Sequence, residues 1–423
     1  MEQKEKEEHG LRGGVSRRGF LKAAGAAAGL TLGFPAVVRA QPRPIPIGII
    51  HPVSGPLAEI GQVERLGAQL AVDEINAGGG IKSLGGAKLA LMLGDSESKP
   101  AVGRAEAERL IREGAVILMG AFQSAVTLAI AQVAEQRGIP FVIDIAAADP
   151  ITQRGYQHVF RIFPTVDRLA TNGVNFMREV FEASGRMPKT IVAMHTNDLF
   201  GSLQAKAFVK KSQDLNAPWK ITEVIPYPLT TVDLSTEVSK VKALKPEVLA
   251  PITRLRDAIL MVRELYKQRV ELLGVVSPGA PGLYEAEFIT QLGKLAEYAM
   301  DAVPWHNPLD PRTKRVSDAF YQRYGRHLDT NSGYAYEGII VSADALERAA
   351  GTKPEAIVAA LRTTNLEARI MAGGPIKFAP NGDNVNAASA MVQVLQGRAR
   401  TIWPKAIAEV PFRFPAPQLW ERG

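Results

Sequence analysis

Short apolar segments alternate with amphipathic ones along most of this chain, and few folds accept that pattern. Val116-Ile117-Leu118-Met119 is apolar on both faces, as a parallel strand covered by helices on either side requires. Between Leu57 and Ala77, the residues Val63, Leu66, Leu70 and Ala71 fall at i, i+3, i+7 and i+8, one stripe that faces a sheet. Gly78-Gly79-Gly80 ends that helix. The first series predicts strands at Ile45–Ile50, Lys88–Leu93, Val116–Met119 and Pro140–Ile143, separated by helices at Leu57–Ala77, Ala101–Glu113 and Ser124–Gln136. After Pro164 a second series predicts helices Asp167–Ala183, Leu199–Gln213, Leu234–Leu244 and Arg256–Gln268. Its strands are Thr190–His195, Lys220–Ile225, Val248–Pro251 and Leu272–Val276. Two such runs imply an α/β protein with two doubly wound parallel-sheet lobes. The last third differs, with helical stretches Arg312–Tyr324, Tyr334–Ala350 and Pro354–Arg362 before strand-like Pro375–Phe378, Ala390–Gln396 and Arg400–Pro404. The proline-rich Pro411–Gly423 is expected as a surface tail.

The N-terminus has another character. Ser16-Arg17-Arg18-Gly19-Phe20-Leu21-Lys22 precedes the small apolar run Ala23 to Val38, closed by Val38-Arg39-Ala40. Basic region, apolar region and small-residue cleavage site, in that order, read as an export signal. The paired arginines look like the twin-arginine class, which carries folded proteins across a bacterial inner membrane. The run is short and rich in alanine and glycine for a span of roughly 20 residues. Residues 1–40 are therefore expected to be a twin-arginine signal cleaved near Ala40, and the mature protein to work in the periplasm.

The 383 residues that follow have room for two domains of roughly 100–200 residues each. An apolar fraction of 46% against 22% charged allows full cores. Beyond residue 40 there are 43 basic and 39 acidic residues, a charge of +4 with no basic block, so nothing points to nucleic acid. The absence of cysteine excludes disulfides, thiolate metal sites, iron–sulfur clusters, cysteine nucleophiles and a lipid on an N-terminal cysteine. A free soluble protein, expected as a monomer, fits better.

Catalytic patterns are missing too. The six histidines (9, 51, 158, 195, 306 and 327) never fall at metal-ligand spacing from one another. No H-E-x-x-H, G-x-S-x-G, G-x-x-x-x-G-K-[ST] or G-x-G-x-x-G occurs. His51 follows a strand and has no Ser or Asp partner visible in the sequence. The expectation is no enzyme, no metal and no cofactor.

Several segments, taken in order, resemble the periplasmic leucine/isoleucine/valine-type binding proteins. They are Ile47-Gly48-Ile49 to Ser54-Gly55-Pro56, then Gly61, then GAQLAVDEINAGGGI from Gly67 to Ile81. RGYQHVFRIFPT (Arg154 to Thr165), NDLFG (Asn197 to Gly201), DLSTEVSKVKALKPEVL (Asp233 to Leu249) and GGPIKF (Gly373 to Phe378) follow. The resemblance covers about Ile45 to Pro404. It implies the type I periplasmic binding protein fold, two lobes joined by three crossings near Phe163, Val303 and Asp383. Lobe 1 would hold 41–163 plus 304–382, and lobe 2 would hold 164–303 plus 383–423. Ligand would sit outside the C-terminal ends of the strands, and a hinge would close the lobes on it. The implied function is capture of a small organic acid or amino-acid-like solute for an ABC permease and ATPase complex of the inner membrane. The alternative is a sensor of the amide- or urea-binding type.

The resemblance also implies a pocket. Ser54 belongs to the opening motif, and Ile60 stands where the family often has an aromatic. In GAFQSAVT, Ser124 and Ala125 open a helix where the family grips a carboxylate; the free N–H groups there favour an anion, although Ser is also an ordinary N-cap. Ala146, Ala147 and Ala148 stand in place of a Pro-Ala-Ala-Thr loop, without the threonine hydroxyl. Phe200 would lie over the ligand, and Asp198 would cap a helix. Arg254 falls near the family's later tyrosine, with Arg256 as its rival. Ser277 or Pro278 falls where the family's ammonium-binding glutamate stands, and no acid is present there. A buried ammonium without an acceptor costs several kcal/mol, so the implied ligand is an aromatic or dicarboxylic acid between Ser124 and Arg254.

Overall fold

Every residue of strand β1, Ile45–His51, except Pro46 is buried, and the strand pairs in parallel with β2, Leu89–Asp95, on one side and β3, Ile117–Gly120, on the other. The computed structural model that shows this describes residues 42–367 and 369–422, so the signal expected at 1–40 lies outside the described residues. Strands β4, Phe141–Ile143, and β5, Val159–Arg161, complete a parallel sheet in the order β2-β1-β3-β4-β5. Helices α1 (Ala58–Ala77), α2 (Pro100–Arg112) and α3 (Ser124–Arg137) connect its strands, as the apolar stripes require.

The second sheet has seven strands in the order β12-β11-β10-β9-β8-β6-β7. Strands β6 (Thr190–Thr196), β7 (Lys220–Tyr227), β8 (Val248–Ile252), β9 (Gly274–Ser277) and β10 (Met300–Val303) run parallel. They alternate with α4 (Val166–Ser184), α5 (Leu199–Asp214), α6 (Ser235–Leu244), α7 (Leu255–Gln268) and the short α8 (Ala286–Leu292). Strands β11 (Ala390–Leu395) and β12 (Arg398–Trp403) add an antiparallel edge, so this sheet is mixed where the sequence pattern implied a purely parallel one.

Between β10 and β11 the chain returns to the first sheet. Helix α9 (Pro311–Tyr324) is followed by α10 (Thr330–Ala349) and α11 (Pro354–Arg362), and α10 packs along α1. Gly67 makes that packing possible, because a Cβ there would stand 2.0 Å from the Ser332 carbonyl oxygen. The chain thus passes between the sheets after Arg161, after Val303 and before Ala390. At the last passage Gly382, with φ +86°, packs its backbone on Val159, and the Arg161 N–H donates to its carbonyl at 2.8 Å.

Three expectations need correction. Strands β5 and β10 went unread, because each is only three or four residues long and holds a buried charged residue, Arg161 or Asp301. Pro375–Phe378 is not a strand; it makes only isolated pairs, Leu366 with Ile376 and Phe378 with Asn384. Pro411–Gly423 is no loose surface tail in its described part. The Ala416 N–H donates to the Leu273 carbonyl at 2.8 Å, Gln418 bonds both backbone groups of Leu272, and the Phe414 ring lies 4.7 Å from that of Phe181. No helix among the described residues is long and apolar enough to cross a membrane. If the C-terminal segment closes the second core, Phe414→Ala will lower the unfolding free energy by about 3 kcal/mol in urea titration. A surface tail would show no change.

Candidate functional site

Loops leaving the C-terminal ends of parallel strands in both sheets converge on one small cavity. Phe122 follows β3, and Ile145, Ala146 and Ala147 follow β4; Phe200 follows β6, Arg254 follows β8, and Gly279 and Ala280 follow β9. Two of the passages between sheets supply Phe163, Val303 and Pro304, and the first turn of α10 supplies Thr330 and Asn331. Apolar and aromatic side chains dominate the wall, as in pockets for small organic ligands.

Arg254 is the ionic side chain among the lining residues, and it is 3% exposed. One terminal nitrogen donates to Asp198 Oδ2 at 2.7 Å and the other to the Thr253 carbonyl at 3.3 Å. Its guanidinium carbon lies 4.7 Å from the centre of the Phe200 ring and 5.7 Å from that of Phe122. The Nε donor has no partner. The arginine is held from behind as well: its N–H meets the Asp257 carboxylate at 3.0 Å, and that carboxylate accepts from the Tyr227 hydroxyl at 2.6 Å. Burial pushes Asp257 up to about 6. Asp198 also caps α5 through the Gly201 N–H at 2.7 Å, so it does more than the capping expected of it.

The wall opposite depends on Arg161, which is fully buried. It donates to the carbonyls of Ala146 at 3.2 Å and Ala148 at 2.8 Å, to Thr152 Oγ1 at 2.7 Å and to Asp383 Oδ1 at 2.7–2.9 Å.

Comparison with known proteins fits this geometry. Residues 44–399 match the family described as periplasmic binding protein. The chain belongs to that family. This periplasmic binding protein is also 30% identical over 389 residues to Leu/Ile/Val-binding protein homolog 7 of Brucella abortus, a match covering 88% of this chain and 94% of the relative. Two solved structures share its fold. The substrate-binding protein LivJ from Streptococcus pneumoniae, in complex with isoleucine, superposes with a TM-score of 0.74 at 21% identity, over 84% of this chain and 97% of that one. A solute binding protein from R. palustris, in complex with benzoate, gives 0.72 at 18% identity, over 89% and 97%.

Of the site residues expected in this periplasmic binding protein, Ala146, Ala147, Phe200 and Arg254 line the cavity together. Ile60 lines an adjoining chamber. Ser124 stands one layer behind, as the first helical residue after Gln123, and its hydroxyl accepts from the Ala148 N–H at 3.3 Å. Ala148, Ser277 and Pro278 are buried beside the cavity: the Ser277 hydroxyl accepts from the Gly279 N–H at 3.2 Å, and the Pro278 carbonyl from Gln204 Nε2 at 3.1 Å. Ser54 and Ala125 are half-buried and do not line it, and Arg256 is exposed. Phe122, Phe163, Tyr284, Glu285 and Asn331 were missed. Only Phe122, two residues before Ser124, carried a signal in the sequence.

His51 does have a partner. Its Nε2 lies 2.7 Å from Asp144 Oδ2 and 3.9 Å from Glu64 Oε2, all three side chains fully buried. Burial, then the Asp144 charge, holds Glu64 well above the usual carboxylate range. This trio is the one cluster of metal-ligand type among the described residues. It fits a metal poorly, because the His51–Asp144 contact is already a hydrogen bond and His51 Nδ1 lacks the acceptor that ligating histidines almost always have.

Glu285, buried in the adjoining chamber, lies outside the motifs quoted from the sequence. Burial and the Asp329 charge push it up to about 8, with Glu59 adding to the rise and Asn331 and Arg254 opposing it. The folded chain keeps this proton up to about pH 8, whereas the unfolded chain releases it near 4.5. The folded state therefore binds more protons in that window, and stability falls as pH rises through it. Glu285→Gln is expected to raise the melting temperature at pH 8 by roughly 2–4 °C more than at pH 5, measured by differential scanning calorimetry. An equal effect at both values would contradict the raised carboxyl.

Proposed function

We propose that this protein is the extracytoplasmic receptor of an ABC importer, and that it captures a small aromatic carboxylic acid and releases it unchanged to a membrane permease and its ATPase. The observation that carries the reading is Arg254, a buried guanidinium with a free Nε donor, facing an aromatic-lined cavity. A carboxylate on that arginine gains a charge-assisted hydrogen bond, and a ring beside Phe122, Phe163 and Phe200 gains apolar contact. A dicarboxylate is less favoured, since Arg254 is the one cation lining the cavity among the described residues, and Arg326 in the adjoining chamber is already shared by Glu59 and Glu287. An α-amino acid is disfavoured, since no ionised acid there matches an ammonium. The R. palustris protein bound to benzoate makes such a solute reasonable for this fold.

In this reading 41–163 plus 304–382 move as one lobe and 164–303 plus 383–423 as the other. Ala146 and Ala147 approach the ligand from the first and Phe200 and Arg254 from the second, so a bound ligand favours closure. Titration calorimetry should show benzoate binding, with leucine and succinate weaker. Arg254→Met should weaken benzoate about 10–100-fold. Mass spectrometry should recover the ligand unaltered. Tight leucine binding with no response to aromatic acids, or a transformed ligand, would overturn the reading.

Residues 1–40 complete the proposal as a twin-arginine signal that delivers the folded protein to the periplasm. Replacing Arg17 and Arg18 by lysine should leave the precursor in the cytoplasm on fractionation. Unchanged export would refute that route.

A further inference from the structure

We propose that the cavity continues into a polar subsite made by Glu285 and Asn331, and that this subsite takes a hydroxyl on the ligand's ring, so that the preferred solute is a hydroxylated aromatic acid. The inference rests on the aromatic-acid reading above and names the substrate class more closely.

Asn331 lines both the aromatic cavity and an adjoining chamber, where it meets Glu285 and Leu255 alongside the charged Glu59, Glu287, Arg326 and Asp329. Asn331 is 2% exposed and Glu285 is 5% exposed. They come from opposite sides of the cleft: Asn331 from the first turn of α10, packed on the first sheet, and Glu285 from the residue before α8, in the second. One hydrogen bond joins them, Asn331 Nδ2 to Glu285 Oε1 at 3.3 Å. The other two atoms, Asn331 Oδ1 and Glu285 Oε2, have no partner.

Buried polar atoms are nearly always satisfied, and each exception asks for a reason. Here two exceptions meet at one junction between chambers. Nearby Asp329 caps α10, its Oδ1 accepting from the Ser332 N–H at 2.8 Å and hydroxyl at 2.7 Å, and no hydrogen bond joins it to Asn331 Oδ1 or Glu285 Oε2. Asn331 Oδ1 can only accept. Glu285, which keeps its proton at neutral pH, has a hydrogen to donate. A ligand hydroxyl both donates and accepts, so one hydroxyl satisfies both atoms. A methyl group of similar size satisfies neither. Sites built to hydrogen-bond a ligand hydroxyl discriminate sharply against the analogue lacking it, because their own polar groups are then left bare.

The test is titration calorimetry on the mature protein with benzoate, 3-hydroxybenzoate, 4-hydroxybenzoate and 4-methylbenzoate. At least one hydroxybenzoate should bind roughly 10-fold or more tightly than benzoate, and 4-methylbenzoate should show no such gain. The ratio of hydroxybenzoate to benzoate affinity should fall toward one in Asn331→Leu and in Glu285→Leu. Because the ratio is taken within each variant, a general loss of folding affects both ligands alike, and the wild-type comparison needs no variant at all. If benzoate binds but the hydroxyl adds nothing, if the methyl group gives the same gain, or if the ratio survives both substitutions, the subsite is refuted while the parent reading stands. If no aromatic acid binds, both fall together.

Discussion

The guanidinium of Arg161 is the constraint on which the site depends. It is fully buried at the end of β5, and its donors fix the Ala146 and Ala148 carbonyls, Thr152 and Asp383. Two of those partners shape the cavity wall, and the last anchors the passage of the chain toward β11. A buried arginine keeps its charge, so it must be surrounded by acceptors or the fold loses several kcal/mol. That demand holds a loop of small residues along the cavity without help from their side chains. Alanines suffice in the wall because the arginine behind them orients the backbone.

The facing wall is organised differently. Arg254 is already neutralised by Asp198 and stacked on Phe200, so its charge is not a bare attraction for any anion. What remains on offer is directional: one free Nε donor above an aromatic surface. On the proposed function, such a group would select by shape as well as by charge and favour a flat aromatic acid over a flexible aliphatic one.

Much of the architecture was legible because parallel strands buried on both faces must be apolar and their crossover helices must carry a stripe. Val116–Met119 and the Leu57–Ala77 stripe sufficed to place β3 and α1 within a residue or two. Reading failed where a strand is too short to show a period and contains a charge whose partner is remote, as with Arg161 and Asp383. The resemblance led to Phe200 and Arg254, and both line the cavity. His51 with Asp144, separated by 93 residues, and Glu285 with Asn331, separated by 46, were not legible. The first pair exists only once β1 and the segment after β4 meet in the first sheet, and the second only once the two sheets fold against one another, so no local pattern records either.

The same distribution of groups bears on how binding couples to motion. A ligand shifts a conformational equilibrium only by the difference in its affinity for the two states. The contacts assigned to the ligand are divided between the sheets: Phe122, Ala146 and Asn331 belong with the first, Phe200, Arg254 and Glu285 with the second. An arrangement with the sheets apart lets the ligand touch one set or the other. In the proposed reading, only a closed arrangement would engage both and pair the buried polar atoms of the junction. On the proposed function, the difference in affinity would be built from the unpaired Arg254, Asn331 and Glu285 atoms, because satisfying all three at once would require a solute that spans the cleft.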